Sequence, residues 1–335
     1  VRVTRIPTAL LSAVFVLGSS SCATVPRAPD EGGPPWYTAE GPSVVVKTDL
    51  GAADAAELVR EVERWRRALA RVIFPTARAP KRTLEVVVLR NRELEALVYT
   101  LRGFFIPRGG AHPLLVLGAS ETWERSSVMK HELAHAVIHE SLPEVPRWLD
   151  EGLAGLLETT ELDEKSGEVT WGTLPRVAVG YVRNSLSPLE HVLDEDDWTE
   201  QQVTRLAYSS RFLVRVLLRD HRDQFSCFID SLVLDGDELD EAFECLQPST
   251  WIRGYQAEYF EHGEDDLGST RIEVGESTPA DATSKAEKMD AAEVHGVLAR
   301  VNREAIQFLW KDDPRRKELS AESKRHSERA GQPAE

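Results

Sequence analysis

Two histidines four residues apart, His131 and His135, put the strongest constraint on what this chain can become. Residues at i and i+4 share one face of an α-helix, so both imidazoles can reach a single point only if this stretch is helical. Val128, Met129, Val137 and Ile138 supply an apolar side for burying such a helix, and no proline interrupts it. A metal ion at about 2.0–2.1 Å from each imidazole suits this spacing, with Glu132 placed beside an open coordination position. Two histidines alone do not close a metal site, so a further ligand has to come from another element.

The segment Pro146–Ala154 offers one. It follows a loop containing Pro143 and Pro146 and reads as a second helix over Trp148–Thr159. Trp148, Leu149, Leu153, Leu156 and Leu157 form its apolar side, and Glu151 lies in an early turn, where a carboxylate can approach a neighbouring helix. Gly152 and Ala154 are small enough to permit close helix packing, and they also serve as ordinary packing positions.

His131-Glu132-Leu133-Ala134-His135 and Trp148-Leu149-Asp150-Glu151-Gly152-Leu153-Ala154 together resemble the gluzincins, zinc peptidases with H-E-x-x-H on one helix and a glutamate ligand on the next. Among them the chain looks most like the bacterial peptidase MA-like proteins, whose second helix reads W-L-x-E-G-x-A. The resemblance spans roughly residues 43–259. It implies a zincin-like α+β fold, one zinc ion held by His131, His135 and Glu151, and Glu132 as general base. Three protein ligands leave zinc a fourth position for chemistry. Where related proteins carry a tyrosine, Leu206–Phe212 places Tyr208, either as a donor to the oxyanion or as a packing aromatic, with Tyr181 in reserve. Some gluzincins place an aspartate four residues after the glutamate ligand, but this chain has Gly155 there. A partner for the imidazoles must then come from elsewhere, Asp150 and Glu158 being possible. His112, His139, His191 and His221 read as surface or packing residues.

Around the two motifs the pattern is that of a small mixed sheet followed by a helical half. Ser43–Lys47 and Leu84–Leu89 read as strands, with a helix between them carrying Leu58, Val62, Trp65, Leu69 and Val72 at helical spacing. A short helix over Arg92–Tyr99 precedes a hairpin of Phe104–Ile106 and Leu114–Leu117. In the zincins that the chain resembles, an edge strand just before the zinc helix pairs with extended substrate, so the resemblance implies that Leu114–Leu117 is that edge. Helices are expected over Thr122–Glu140, Glu200–Arg219, Gln224–Leu234, Glu238–Leu246 and Thr250–Tyr259. The resulting peptidase domain spans 43–260, followed by a linker over 261–285 and an amphipathic helix over 286–310 carrying Val294, Leu298, Val301, Ala305 and Leu309. The charged segment 311–335 is expected to be a disordered tail.

Residues 1–22 read as an export signal: Arg2 and Arg5, an apolar stretch from Ala9 to Leu17, then Gly18, Ser19, Ser20 and Ser21 before Cys22. The apolar run is shorter than the roughly 20 residues that span a bilayer. Cys22 is expected to carry a lipid that holds the protein at a membrane surface of the cell envelope, although Ser21-Cys22-Ala23 also suits an ordinary signal peptidase. Residues 23–42, rich in Pro and Gly, read as a flexible tether. Cys227 and Cys245 are compatible with a disulfide or with two buried thiols. The net charge of −16 over 335 residues argues against a nucleic-acid partner. The expected partner is a peptide or protein substrate, cleaved internally, since no G-x-M-E-N segment is present to grip an amino terminus. The alternative is a catalytically inactive peptide-binding or scaffold lipoprotein of the cell envelope.

Overall fold

The computed structural model describes residues 25–74, 82–98, 101–107, 111–119, 127–142, 145–163, 165–173, 186–199, 202–232, 242–246, 268–271, 285–309 and 311–331. These form a mixed α+β structure. Its centre is a six-stranded sheet in the order β4-β5-β3-β2-β1-β9, built from β1 (Tyr37–Glu40), β2 (Val44–Thr48), β3 (Leu84–Leu89), β4 (Gly103–Ile106), β5 (Leu114–Gly118) and β9 (Glu287–Lys288). β3 is parallel to both neighbours, with Val46 opposite Val86 and Val87 opposite Val116, whereas β4 runs antiparallel to β5. The crossovers that parallel pairing demands are α1 (Ala52–Ile73) between β2 and β3, and α2 (Asn91–Val98) with β4 between β3 and β5.

Leu84–Leu89 is buried along its whole length because both faces of β3 are covered. Val86 and Val88, with Leu115 and Leu117, point into a core shared with Leu58, Val62 and Leu69 of α1 and with Met129 and Leu133. Val87 and Leu89, with Phe104 and Val116, point into a second core containing Leu94, Val294 and Leu298. Glu85 is the polar exception in this strand. Lys47 Nζ donates to its Oε1 at 3.1 Å, and Arg300 holds its other oxygen.

The elements that carry the two motifs lie on the first core. α3 (Ser127–Ser141) and α4 (Arg147–Leu157) are joined by a short connection, and α5 (Leu189–Leu193), α6 (Val203–Asp220) and α7 (Arg222–Asp230) follow. Arg66 of α1 is buried and donates to Ser43 O, to Arg82 O and, at 2.8 Å, to Glu140 Oε2, which pins α3 to α1. Lys130 Nζ donates to Thr160 O at 2.7 Å and so ties α3 to the segment just beyond α4. Behind α4, Trp148 stacks on Phe228 with ring centroids 5.9 Å apart and faces Phe243. Cys227 and Cys245 are paired as a disulfide, Cα–Cα 5.7 Å, which fastens the turn carrying Phe243 to α7.

Several segments differ from the sequence reading. The tether expected over 23–42 contains β1, and Ala28 and Trp36 are fully buried in the second core, so residues 25–40 belong to the fold. β6 (Glu161–Asp163) and β7 (Glu168–Trp171) form a hairpin, and β7 pairs with β8 (Gly268–Arg271), which lies within the expected linker. The helix expected over 286–310 is α8 (Ala291–Ala305), and it covers the second face of the sheet. The segment expected to be a disordered tail contains α9 (Arg315–Arg329), packed on α8 through Leu319, Ser323 and His326, with Ser323 Oγ donating to Ala299 O at 2.8 Å. That buried face consists mostly of small and polar side chains, so no apolar stripe marks it. β4 rather than β5 is the sheet edge, because β5 lies between β4 and β3. Of Glu238–Leu246 only residues 242–246 are described, with a 3-10 turn at Phe243–Cys245. Residues 1–24 with Cys22, Tyr181 and the helix expected over Thr250–Tyr259 lie outside the described residues.

The C-terminal helices are locked by two buried imidazoles. His326 Nδ1 and His295 Nδ1 lie 2.6 Å apart, and His295 Nε2 reaches Asp30 Oδ1 at 3.0 Å. Arg325 Nη2 sits 3.5 Å from His326 Nε2. A donor chain from Arg325 through His326 and His295 to Asp30 satisfies both rings as neutral imidazoles. Burial, aided by Arg325 and His295 against Glu31 and Glu322, pushes His326 down to about 4. An unfolded histidine titrates near 6.5, so between these values the unfolded chain binds the extra proton and stability falls as pH drops. At about 1.4 kcal/mol per pKa unit, this loss is on the order of 3 kcal/mol. The urea midpoint of the wild type is expected to fall more steeply between pH 7 and 4.5 than that of His326→Gln. Equal slopes would contradict this role for His326.

Candidate metal centre

α3 and α4 bring His131, His135 and Glu151 together. Their ligand atoms all lie within 4.8 Å of one another: the two Nε2 atoms are 3.2 Å apart, and His131 Nε2 is 3.8 Å from Glu151 Oε2. Donors held at 2.0–2.1 Å in a tetrahedron are about 3.3–3.4 Å from each other, so these separations fit one small cation. His135 is 8 % exposed, whereas the side chains of His131 and Glu151 retain 22 % and 25 %, which leaves one side of the group open to solvent.

The other ring nitrogens explain why the Nε2 atoms face inward. Asp150 of α4 accepts from His135 Nδ1 at 2.7 Å and from His139 Nε2 at 3.0 Å. Glu158 Oε2 stands 3.3 Å from His131 Nδ1 at ion-pair distance, a looser approach than Asp150 makes to His135. With its Nδ1 donating to Asp150, the His135 ring turns Nε2 toward His131, whose own Nδ1 is buried facing Glu158 without a hydrogen bond. Two Nε2 atoms 3.2 Å apart are reconciled either by a proton shared between them or by a metal ion. Burial acts to lower the His135 pKa, but Asp150, Glu151 and Glu132 overcome it and push it up to about 10. A cation entering here displaces that proton, so metal uptake weakens as pH falls.

Glu132 lies between the two histidines, and burial raises its carboxyl above the usual range against the pull of His131 and His135. A raised carboxyl pKa is what a group needs to accept and return a proton near neutral pH. Asp150 moves the other way. Burial opposes its ionisation, but His135 and His139 outweigh that and hold it well below the usual carboxylate range. Glu158, too, is held below its ordinary value, with burial overcome by His131 and Arg211.

α4 holds this arrangement because it sits close to α6. A Cβ at Gly152 would fall 2.5 Å from Val214 Cγ2 and 2.8 Å from the Ser210 carbonyl oxygen, so only glycine allows this approach. Tyr208 of α6 is partly buried, with the Arg211 guanidinium 5.3 Å over its ring. The sequence reading set His139 among surface or packing residues, but it shares Asp150 with His135 and its ring lies 5.9 Å from that of Phe105 on β4. Arg211 was missed altogether; it follows Ser209 and Ser210 in α6, and the glycine inside α4 at 155 was the available signal.

Among the described residues Glu31, His295 and His326 also bring ligand atoms within 4.8 Å. There Arg325 and Arg329 both donate to Glu31 Oε1, at 2.6 and 2.5 Å, so guanidinium groups already occupy the cation position. The two nitrogens 2.6 Å apart suit a hydrogen bond better than a shared ion. No known family model matches the chain, and no curated protein matches it.

Replacing Asp150 by Asn removes the charge beside His135 while leaving the three candidate ligands in place. Zinc affinity, measured by competition with a chromogenic chelator, is expected to fall roughly 10–100-fold. Wild-type affinity in a folded Asp150→Asn protein would contradict the orienting role.

Proposed function

We propose that this chain is a zinc-dependent peptidase of the gluzincin type with a zincin-like fold, cleaving extended peptide segments outside the cytoplasm. One observation carries the reading: two imidazoles, each with its Nδ1 beside a carboxylate, and Glu151 from the next helix converge at separations that suit a tetrahedral ion. His131, His135 and Glu151 would hold the zinc. When bound, the ion polarises a carbonyl group and acidifies water.

The residues of the chain do the rest. Glu132 takes a proton from the attacking water and passes it to the leaving amine, and its raised pKa suits both transfers. Tyr208 is the proposed donor to the oxyanion of the tetrahedral state. Substrate is proposed to lie along β4, the edge of the sheet on the α3 side, with backbone groups pairing as an added strand. Phe105 and His139, in ring contact, join that edge to the metal centre through Asp150. The Cys227–Cys245 disulfide supports an oxidising compartment, in keeping with export and with lipid attachment at Cys22.

Purified protein loaded with one equivalent of zinc is expected to cleave an unstructured protein such as casein, and to stop doing so when a chelator removes the metal. Glu132→Gln should bind zinc as the wild type does and lose activity by at least about 100-fold. Zinc-loaded wild type with no cleavage of casein or of a peptide library would count against the peptidase reading and favour a peptide-binding scaffold.

A further inference from the structure

α4 contains two residues that local helix physics disfavours. Gly155 sits in the helix interior, where glycine costs about 1 kcal/mol relative to alanine. Glu158 forms the C-cap, where a carboxylate faces the negative end of the helix dipole. Neither choice is explained by packing of an apolar face. Residues that break a local rule without local gain mark places where another demand dominates.

The demand is visible across the interface with α6. A Cβ on Gly155 would lie 2.3 Å from Arg211 Nε, 2.7 Å from Nη2 and 2.8 Å from Cζ, so the guanidinium occupies the space a side chain would need. Through that gap the buried Arg211 donates from Nη1 to Glu158 Oε1 at 2.9 Å. The other oxygen of Glu158 stands 3.3 Å from His131 Nδ1, an ion-pair approach without hydrogen-bond geometry. Glu151, Gly155 and Glu158 follow one another at i, i+4 and i+7, so a metal-ligating residue, a gap and a supporting carboxylate lie along one ridge of the helix.

We propose that Arg211 and Glu158 form an orienting relay for His131, and that Gly155 is glycine in order to admit the guanidinium. Arg211 neutralises Glu158 at an unfavourable helix end and fixes its rotamer. Glu158 then holds the His131 ring by its charge, with Nδ1 toward the carboxylate and Nε2 toward the metal. Both are positioning residues, and neither touches metal or substrate. The two imidazoles are thus supported by different devices, His135 by Asp150 within the first turn of α4 and His131 by a carboxylate that depends on α6. The inference rests on the metal-centre reading for its effect on zinc, but the ring orientation it describes exists without metal.

Two readouts test it. In Glu158→Gln, zinc affinity by chelator competition is expected to fall roughly 10–100-fold with the thermal midpoint little changed. Gly155→Ala, which alters neither a ligand nor a charge, should lower affinity in the same direction by displacing Arg211, and Arg211→Lys should fall between it and the wild type. Nitrogen-15 NMR of the metal-free protein should show His131 as the Nδ1–H form in the wild type and a mixture of forms in Glu158→Gln. Folded Glu158→Gln and Gly155→Ala proteins with wild-type zinc affinity and an unaltered His131 ring would overturn the relay. A wild type that takes up no zinc would sink the metal-centre reading instead, and the metal-free NMR comparison would still decide the relay.

Discussion

Two imidazole Nε2 atoms facing each other across 3.2 Å are the interaction on which the rest of this molecule turns. Without a proton or a cation between them they repel, and the rings are turned this way with Asp150 accepting from His135 Nδ1 and Glu158 standing 3.3 Å from His131 Nδ1. That requirement fixes how α4 crosses α3. It also fixes what must lie behind α4, since a helix carrying Asp150, Glu151 and Glu158 toward two facing imidazoles needs a firm apolar back.

That back is supplied in two ways. Gly152 lets α6 approach until Val214 and the Ser210 carbonyl stand where a side chain would be. Trp148, Phe228 and Phe243 form a cluster in which each ring contacts the other two, and the Cys227–Cys245 disulfide joins the segments carrying the two phenylalanines. Closing a loop of this length limits the unfolded chain by about 3 kcal/mol, so the aromatic support is fixed at modest cost in chain entropy. On the far side, Arg66 and Lys130 tie α3 to α1 and to Thr160, so both helices of the site are held from outside it. His131, His135 and Glu151 lie where these constraints meet, with one side open to solvent.

What the sequence reveals depends on whether the governing pattern is local. The β-branched run of β3 and the helical spacing of Leu58, Val62, Trp65 and Leu69 identify their elements, because period and burial coincide there. His131, His135 and Glu151 are legible for the same reason, their geometry being set by helical spacing within two short segments. β1 was not legible, because Tyr37-Thr38-Ala39-Glu40 has no apolar run and follows a Pro- and Gly-rich stretch; its place is set by partners on β2 and β9. α9 escaped notice since Ser323 and His326 do the work of apolar residues on its buried face. Glu158 and Asp150 were visible as candidates, but which imidazole each meets depends on a helix crossing. Arg211 lies 53 residues from Glu158 in the chain, and only the unexplained glycine at 155 hinted at it.

The most direct test of the metal centre is X-ray absorption at the zinc edge on protein loaded with one equivalent of zinc. The account predicts a shell of two imidazole nitrogens and carboxylate or solvent oxygen at about 2.0–2.1 Å, with no sulfur. A protein that retains no stoichiometric zinc, or a spectrum without imidazole scattering, would contradict it.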